Sequence, residues 1–258
     1  MDLNLEGKRA LVCGSTQGMG RSIAVALSSL GAQVTLFARD EERLKSTLNL
    51  LKGDNHHYLV ADFDDLDLVK KTVQSDLETN TYQILVNNTG GPPPGNVYEA
   101  GLHDFESALS RHLFVSQTLT QLLLPGMQAI GYGRIINITS TSVKVPITGL
   151  GVSNTVRGAM ASWAKTLANE LGGFGITVNN VLPGFINTAR ITSLITNRSK
   201  AQHRSEEEIK EEMIRSIPAG RFGEPEEIAD YIAFLCSKSG AYINGTSLRI
   251  DGGRTGSI

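Results

Sequence analysis

The 258-residue chain is 40% hydrophobic and 19% charged, which suits one large core and argues against disorder. Its 24 Lys+Arg against 26 Asp+Glu leave a net charge of −2, so there is no basic surplus for a nucleic-acid backbone or an anionic membrane. Cys13 and Cys236 cannot build a disulfide framework, no Cys/His cluster has metal-ligand spacing, and neither a signal peptide nor an apolar run of transmembrane length is present. The expectation is a soluble, cytoplasmic, single-domain protein over 1–258. No nucleic-acid or membrane partner is expected.

Apolar β-branched runs alternate with segments of helical period. Arg9–Cys13 is predicted as a strand and Gly20–Leu30 as a helix, with Ile23, Ala24, Leu27 and Leu30 on one face. Gln33–Phe37 is a second strand, Glu41–Leu51 a polar helix, and Tyr58–Ala61 a third strand. A helix over Leu68–Leu77 and a strand over Gln83–Val86 follow. Leu102–Met127 reads as a long helix interrupted near Pro125. Arg134–Ile138 is a fifth strand, Val152–Leu171 a helix and Thr177–Val181 a sixth strand. A helix over Pro225–Leu235 and a strand near Ser247–Ile250 close the chain. This alternation implies a single-domain α/β Rossmann fold: a doubly wound parallel sheet of about seven strands with helices on both faces. The polar segment 188–221 breaks the rhythm. It follows the carboxyl end of a strand, where ligands bind in such sheets, so it reads either as a solvated excursion or as a lid over a substrate.

The first strand runs into Gly14-Ser15-Thr16-Gln17-Gly18-Met19-Gly20, and a helix opens at once. Glycines there allow a tight turn, a close approach of backbone N–H groups to a diphosphate, and helix–strand packing. The Gly-x3-Gly-x-Gly spacing resembles the short-chain dehydrogenase/reductase family, and further markers extend the resemblance over nearly the whole chain. Asp62 stands where the family's aspartate contacts adenine. Asn87-Asn88-Thr89-Gly90 resembles the Asn-Asn-Ala-Gly after the fourth strand. Pro183-Gly184 with Thr188 resembles the elements that hold the nicotinamide amide, and Asp251-Gly252-Gly253 resembles the C-terminal Asp-Gly-Gly. The pattern is closest to 3-oxoacyl-acyl carrier protein reductases and sugar dehydrogenases. The resemblance implies a nicotinamide cofactor and a homo-oligomer, either a tetramer or a dimer.

After the second strand, the position of an NAD-selecting carboxylate holds Ala38, and Arg39 follows. A guanidinium suits a 2′-phosphate, so NADP(H) is favoured over NAD(H). The catalytic set departs from the family. Ser140 matches the substrate-orienting serine, but Ser153 stands at the tyrosine position and Arg157 at the lysine position. His112 takes the asparagine position. A serine hydroxyl is far too weak an acid to replace a tuned tyrosine. Arg157 can bind ribose hydroxyls or an anion but stays protonated. His112 reads either as a hydrogen-bonded residue at an irregular point of a long helix, as a replacement acid/base, or as a substrate-binding group. Lys144 and Tyr98 are lesser candidates, and Gly90–Gly95, with three prolines, reads as a rigid wall of the mouth. Halohydrin-dehalogenase-like lyases also carry arginine at the lysine position, but they keep the tyrosine and lose the glycine turn, the reverse of this chain.

Two readings stay open. One is an NADP(H)-dependent oxidoreductase with atypical proton handling, acting on a carbonyl/alcohol or a related C=N or C=C substrate. In it, Arg157 or basic residues of 188–221 could hold a carboxylate. The other is an inactive NADP(H)-binding sensor or regulatory protein.

Overall fold

The computed structural model describes residues 1–257. Seven parallel strands form one sheet: β1 (Arg9–Cys13), β2 (Gln33–Ala38), β3 (His57–Val60), β4 (Ile84–Asn87), β5 (Gly133–Ile138), β6 (Ile176–Pro183) and β7 (Ser247–Ile250). The order across it is β3-β2-β1-β4-β5-β6-β7. Every residue of β4, β5 and β6 is buried, because helices cover both faces.

On one face α1 (Gly18–Ser29), α2 (Glu41–Leu48) and α9 (Pro225–Cys236) pack Ile23, Leu27, Leu44, Ile228 and Ile232 against Val12, Val34 and Val86. On the other, α3 (Leu66–Asp76), α5 (Val115–Ile130) and α6 (Gly151–Leu171) pack Val69, Val73, Leu119, Leu123 and Ala164 against Leu11, Leu85 and Val178. Trp163 and Leu167 are partly buried against this second core.

The strand order reverses at β1, whose Val12 lies beside Leu36 on one side and Val86 on the other. Connections leave this point in opposite directions and open a crevice at the carboxyl ends of the strands. A ladder of buried asparagines floors it. Asn87 donates to Asn137 at 2.8 Å, Asn137 donates to Asn180 at 3.1 Å, and Asn180 donates to Ser247 at 3.1 Å. These bonds tie β4, β5, β6 and β7 together beneath the loops that carry the chemistry.

The structure corrects one expectation. The long helix is not interrupted at Pro125, which sits within α5 and removes one N–H donor without ending the helix. The break lies earlier. After α4 (Leu102–Leu109), one wide π turn at Ser110–Phe114 carries His112 and leads into α5. The polar segment 188–221 folds as α7 (Ala189–Gln202) and α8 (Glu206–Arg215), around a small core of Ile191, Ile195, Ile209 and Met213 backed by Phe185 and Phe222. Ser205 and Glu208 form a capping box that starts α8.

Candidate active site

The glycine turn has no slack. Gly14 has φ +58°, and a β-carbon on it would lie 2.4 Å from the carbonyl oxygen of Asn88. One on Gly20 would lie 2.1 Å from the carbonyl oxygen of Gly14. Both distances are impossible for real carbons, so only glycine closes this turn. The Asn88 side chain donates to the carbonyls of Cys13 and Gly14, at 3.3 and 3.2 Å, and pins the turn to the loop after β4. Gln17 precedes α1 without capping it, and no acidic residue stands in the first turn. The first N–H groups of α1 are therefore left to an anion. Thr188 closes the other side, its Cγ2 3.1 Å from where a Gly18 β-carbon would be. A dinucleotide's diphosphate fits this cradle. Ser15 contributes differently from expectation: its hydroxyl is fully buried and accepts the Phe37 N–H at 3.0 Å, so its side chain fastens the turn to β2 and leaves only backbone for a cofactor. Met19 packs on the first core, and Thr16 remains half-buried at the turn.

At the adenine end, Arg39 reaches Asp62 at 3.2 Å, with both side chains well exposed. Burial would raise the Asp62 pKa, but the Asp64 N–H and the Arg39 guanidinium overcome it and hold the carboxyl below its ordinary range. An exposed pair of this kind is weak, so Arg39 can exchange Asp62 for a phosphate at little cost. Arg43, which the sequence reading overlooked, lies one turn into α2, beside Asp40 at 3.3 Å. It donates to Gln17 at 3.2 Å. It adds a second guanidinium at this end. Its signal in the sequence is the Asp40 N-cap, which starts α2 there and turns Arg43 toward the glycine turn.

The catalytic candidates come from three places in the fold. Ser140 lies two residues past the end of β5, and its Oγ accepts the Ser142 N–H at 3.1 Å. Ser153 and Arg157 lie one turn apart on α6 and are only 8% and 7% exposed. His112, 3% exposed, faces them from the π turn. Arg157 donates to the Ile138 carbonyl at 2.8 Å. Ser153 Oγ has no hydrogen-bond partner among the described residues.

His112 pairs its Nδ1 with the Thr89 hydroxyl at 2.5 Å, while its Nε2 is buried without a partner. Burial, then the charges of Arg157, Arg111 and Arg190, push its pKa down to about 2. It is a neutral imidazole at physiological pH and carries no proton of imidazolium strength. Burial also lowers the Arg157 pKa, to about 10, which leaves it protonated at neutrality. The site therefore offers hydroxyl donors, a neutral imidazole and a cation.

Gly90 borders open space, and the proline segment beyond it is pinned at its far end. The Gly95 N–H donates to the Gly149 carbonyl at 2.7 Å, and the Gly95 carbonyl accepts the Gly151 N–H at 2.9 Å. Gly184 follows Pro183 and packs within 2.7 Å of Asp251 by the same β-carbon measure. Tyr98 and Lys144 are exposed, Tyr98 by 82%. A second residue that sequence reasoning missed is Arg190. It stands at the start of α7, and its Nη2 would lie 2.9 Å from a Gly91 β-carbon. A groove of about 860 Å³ lies at the opposite, amino end of the strands, lined by Lys8, Tyr132, Arg134 and Asn244. It holds none of these residues.

The family described as Enoyl-(Acyl carrier protein) reductase matches residues 14–255. The 3-oxoacyl-(acyl-carrier-protein) reductase FabG of Aquifex aeolicus (strain VF5) is 33% identical over 259 residues, covering 98% of this chain and 99% of its own length. L-sorbose reductase from Gluconobacter frateurii, solved with NADPH and L-sorbose, superposes with a TM-score of 0.92 at 28% identity, over 100% of both chains. YwfH, an NADPH-dependent reductase involved in bacilysin biosynthesis, gives 0.90 at 25% identity, over 97% of this chain and 99% of its own. With the glycine turn, the strand order and these matches in agreement, the chain belongs to the short-chain dehydrogenase/reductase family of oxidoreductases.

Proposed function

We propose that this chain is an NADP(H)-dependent oxidoreductase for substrates whose reduction needs no strong protein acid, above all conjugated C=C and iminium compounds. The observation that carries the reading is a buried site without a strong acid. Ser153 and Arg157, which the family resemblance sets at the tyrosine and lysine positions, are buried, and the adjacent His112 is buried and neutral. Cofactor binding rests on the Gly14–Gly20 cradle, with Arg39 and Arg43 toward a 2′-phosphate. The relative solved with NADPH and a sugar supports the same choice. When bound, the nicotinamide supplies a hydride at carbon.

The chain's own residues handle charge. A conjugated substrate that accepts a hydride at its β-carbon leaves negative charge on its carbonyl oxygen. Ser140 and Ser153 donate hydrogen bonds to that oxygen, and the Arg157 cation stabilises it in a site shielded from water. The α-carbon then takes its proton from solvent. An iminium needs even less, because its reduction neutralises a charge already present. A plain ketone requires an acid at the developing alkoxide, and Ser153 is too weak to serve. The helical surface that exposes Leu102 and Phe114 suits a homo-oligomer, which light scattering would establish.

The test is NADPH oxidation over matched sets of ketones, enones and cyclic iminium ions. Enones or iminium ions are expected to turn over at least about 100-fold faster than ketones of equal size. Equal ketone rates would overturn the acid-free reading. Tight NADPH binding with no oxidation on any substrate would replace it with a nucleotide-binding sensor.

A further inference from the structure

We propose that Arg157 and Arg190 form a clamp for a carboxylate on the substrate. This rests on the hydride-transfer reading above and names the class of compound it serves: a conjugated acid.

Arg157 is an anomaly in the protein interior. The residue is 7% exposed, yet its one hydrogen bond goes to the Ile138 carbonyl, and no carboxylate pairs with it among the described residues. Buried cations are ordinarily paired. The charge that Arg157 feels most is a second cation, Arg190, and both are felt at His112. Of the other arginines felt at His112, Arg111 is occupied, with two 2.6 Å bonds to Asp64. Arg190 is exposed and has no carboxylate within ion-pair distance among the described residues. Two coupled cations facing one cleft with no acid repel each other, and an anion between them removes the repulsion.

The geometry places that anion on the substrate side. Arg190 reaches across from α7 to the loop after β4, where Gly91 leaves room for its guanidinium. The cofactor's diphosphate belongs at the uncapped start of α1, beside Gly18 and Thr188. Arg157 lies one turn beyond Ser153, so a carboxylate held by it sits next to the hydroxyls that receive the carbonyl oxygen. Guanidinium forks suit the planar carboxylate in a way that a lysine ammonium does not. Replacement of the family lysine by arginine is thereby accounted for.

The experiment is calorimetric titration of the NADP⁺-loaded protein with 3-oxocyclohex-1-ene-1-carboxylate and with its carboxamide. The acid is expected to bind at least about 10-fold more tightly than the amide, with the ratio falling to about one in Arg190→Gln. Arg157→Met is expected to lose the same preference and, free of ligand, to melt a few degrees higher, because an unpaired buried charge has gone. Equal binding of acid and amide overturns the clamp, as does a ratio that survives Arg190→Gln. Arg190→Gln weakening NADPH binding instead of acid binding assigns that arginine to the diphosphate and also overturns it. A lower melting temperature for Arg157→Met with an unchanged ratio makes Arg157 structural. NADPH oxidation on both probes is followed separately. Oxidation without acid preference sinks the clamp and keeps the hydride reading; acid preference without any oxidation keeps the clamp and sinks that reading.

Discussion

The turn from Gly14 to Gly20 and the pocket between β5, α5 and α6 lie along the same edge of the sheet, yet they are held by different means. The turn is fixed by contact. Backbone lies so close to backbone that a single added carbon has nowhere to go. The pocket is fixed by burial around groups that are not satisfied: a cation with one hydrogen bond, an imidazole with a free nitrogen, and a serine without a partner. A close-packed turn has no room for other side chains at its glycines. A pocket with unsatisfied groups tolerates changed chemistry, because its shape comes from the helices and not from the reacting side chains. The two regions therefore place different limits on substitution: the turn admits almost none, while the buried cluster admits several.

The largest effect expected falls on the turn. Gly20→Ala puts a β-carbon into the Gly14 carbonyl and should cost at least about 3 kcal/mol of stability and about 100-fold in NADPH affinity. Thermal melting and fluorescence titration check it. Unchanged values would show that the turn has slack and would erase the contrast.

The pocket is tested by His112. Its folded-state pKa of about 2 lies well below the ordinary 6.5, so the unfolded chain binds the proton first. Stability from this residue is present above pH 6.5 and is lost as pH falls toward 2. Between pH 7 and 5 the loss is about 2 kcal/mol, and it should vanish in His112→Asn. Urea midpoints at the two pH values measure it. The pH profile of turnover should show no step assignable to His112 between pH 5.5 and 8.5. A step near 6.5 that disappears in His112→Asn would restore the imidazole as the acid and make the two regions less different.

The smallest effect belongs to the adenine end. Arg39→Ala with Arg43→Ala should lower the preference for NADPH over NADH by about 10-fold, with little change in NADH binding. Comparison of the two dissociation constants decides it. A preference unmoved by both substitutions would place 2′-phosphate recognition elsewhere.

Much of the nucleotide end was legible because its information is local. Gly14, Gly18 and Gly20 sit within seven residues, after one strand and at the mouth of one helix, so spacing alone carries the geometry. The helices of the segment 188–221 were not legible, for the opposite reason. Four buried side chains, Ile191, Ile195, Ile209 and Met213, are scattered among charges, and their small core exists only when two helices fold against each other. Pro125 was a strong local signal that misplaced the helix break, because the π turn at 110–114 is set by what α4 and α5 must each bury.

By itself the sequence determined the α/β alternation, the parallel sheet and the glycine cradle. All of these follow from residue type and short spacing. Only the tertiary structure decided the protonation of His112, the unpaired burial of Arg157 and the partnership of Arg190 with both. A pKa and an ion pair depend on solvent and on charges brought from distant parts of the chain. Positions 112, 157 and 190 meet only after β4, β5 and β6 have assembled their loops at one edge.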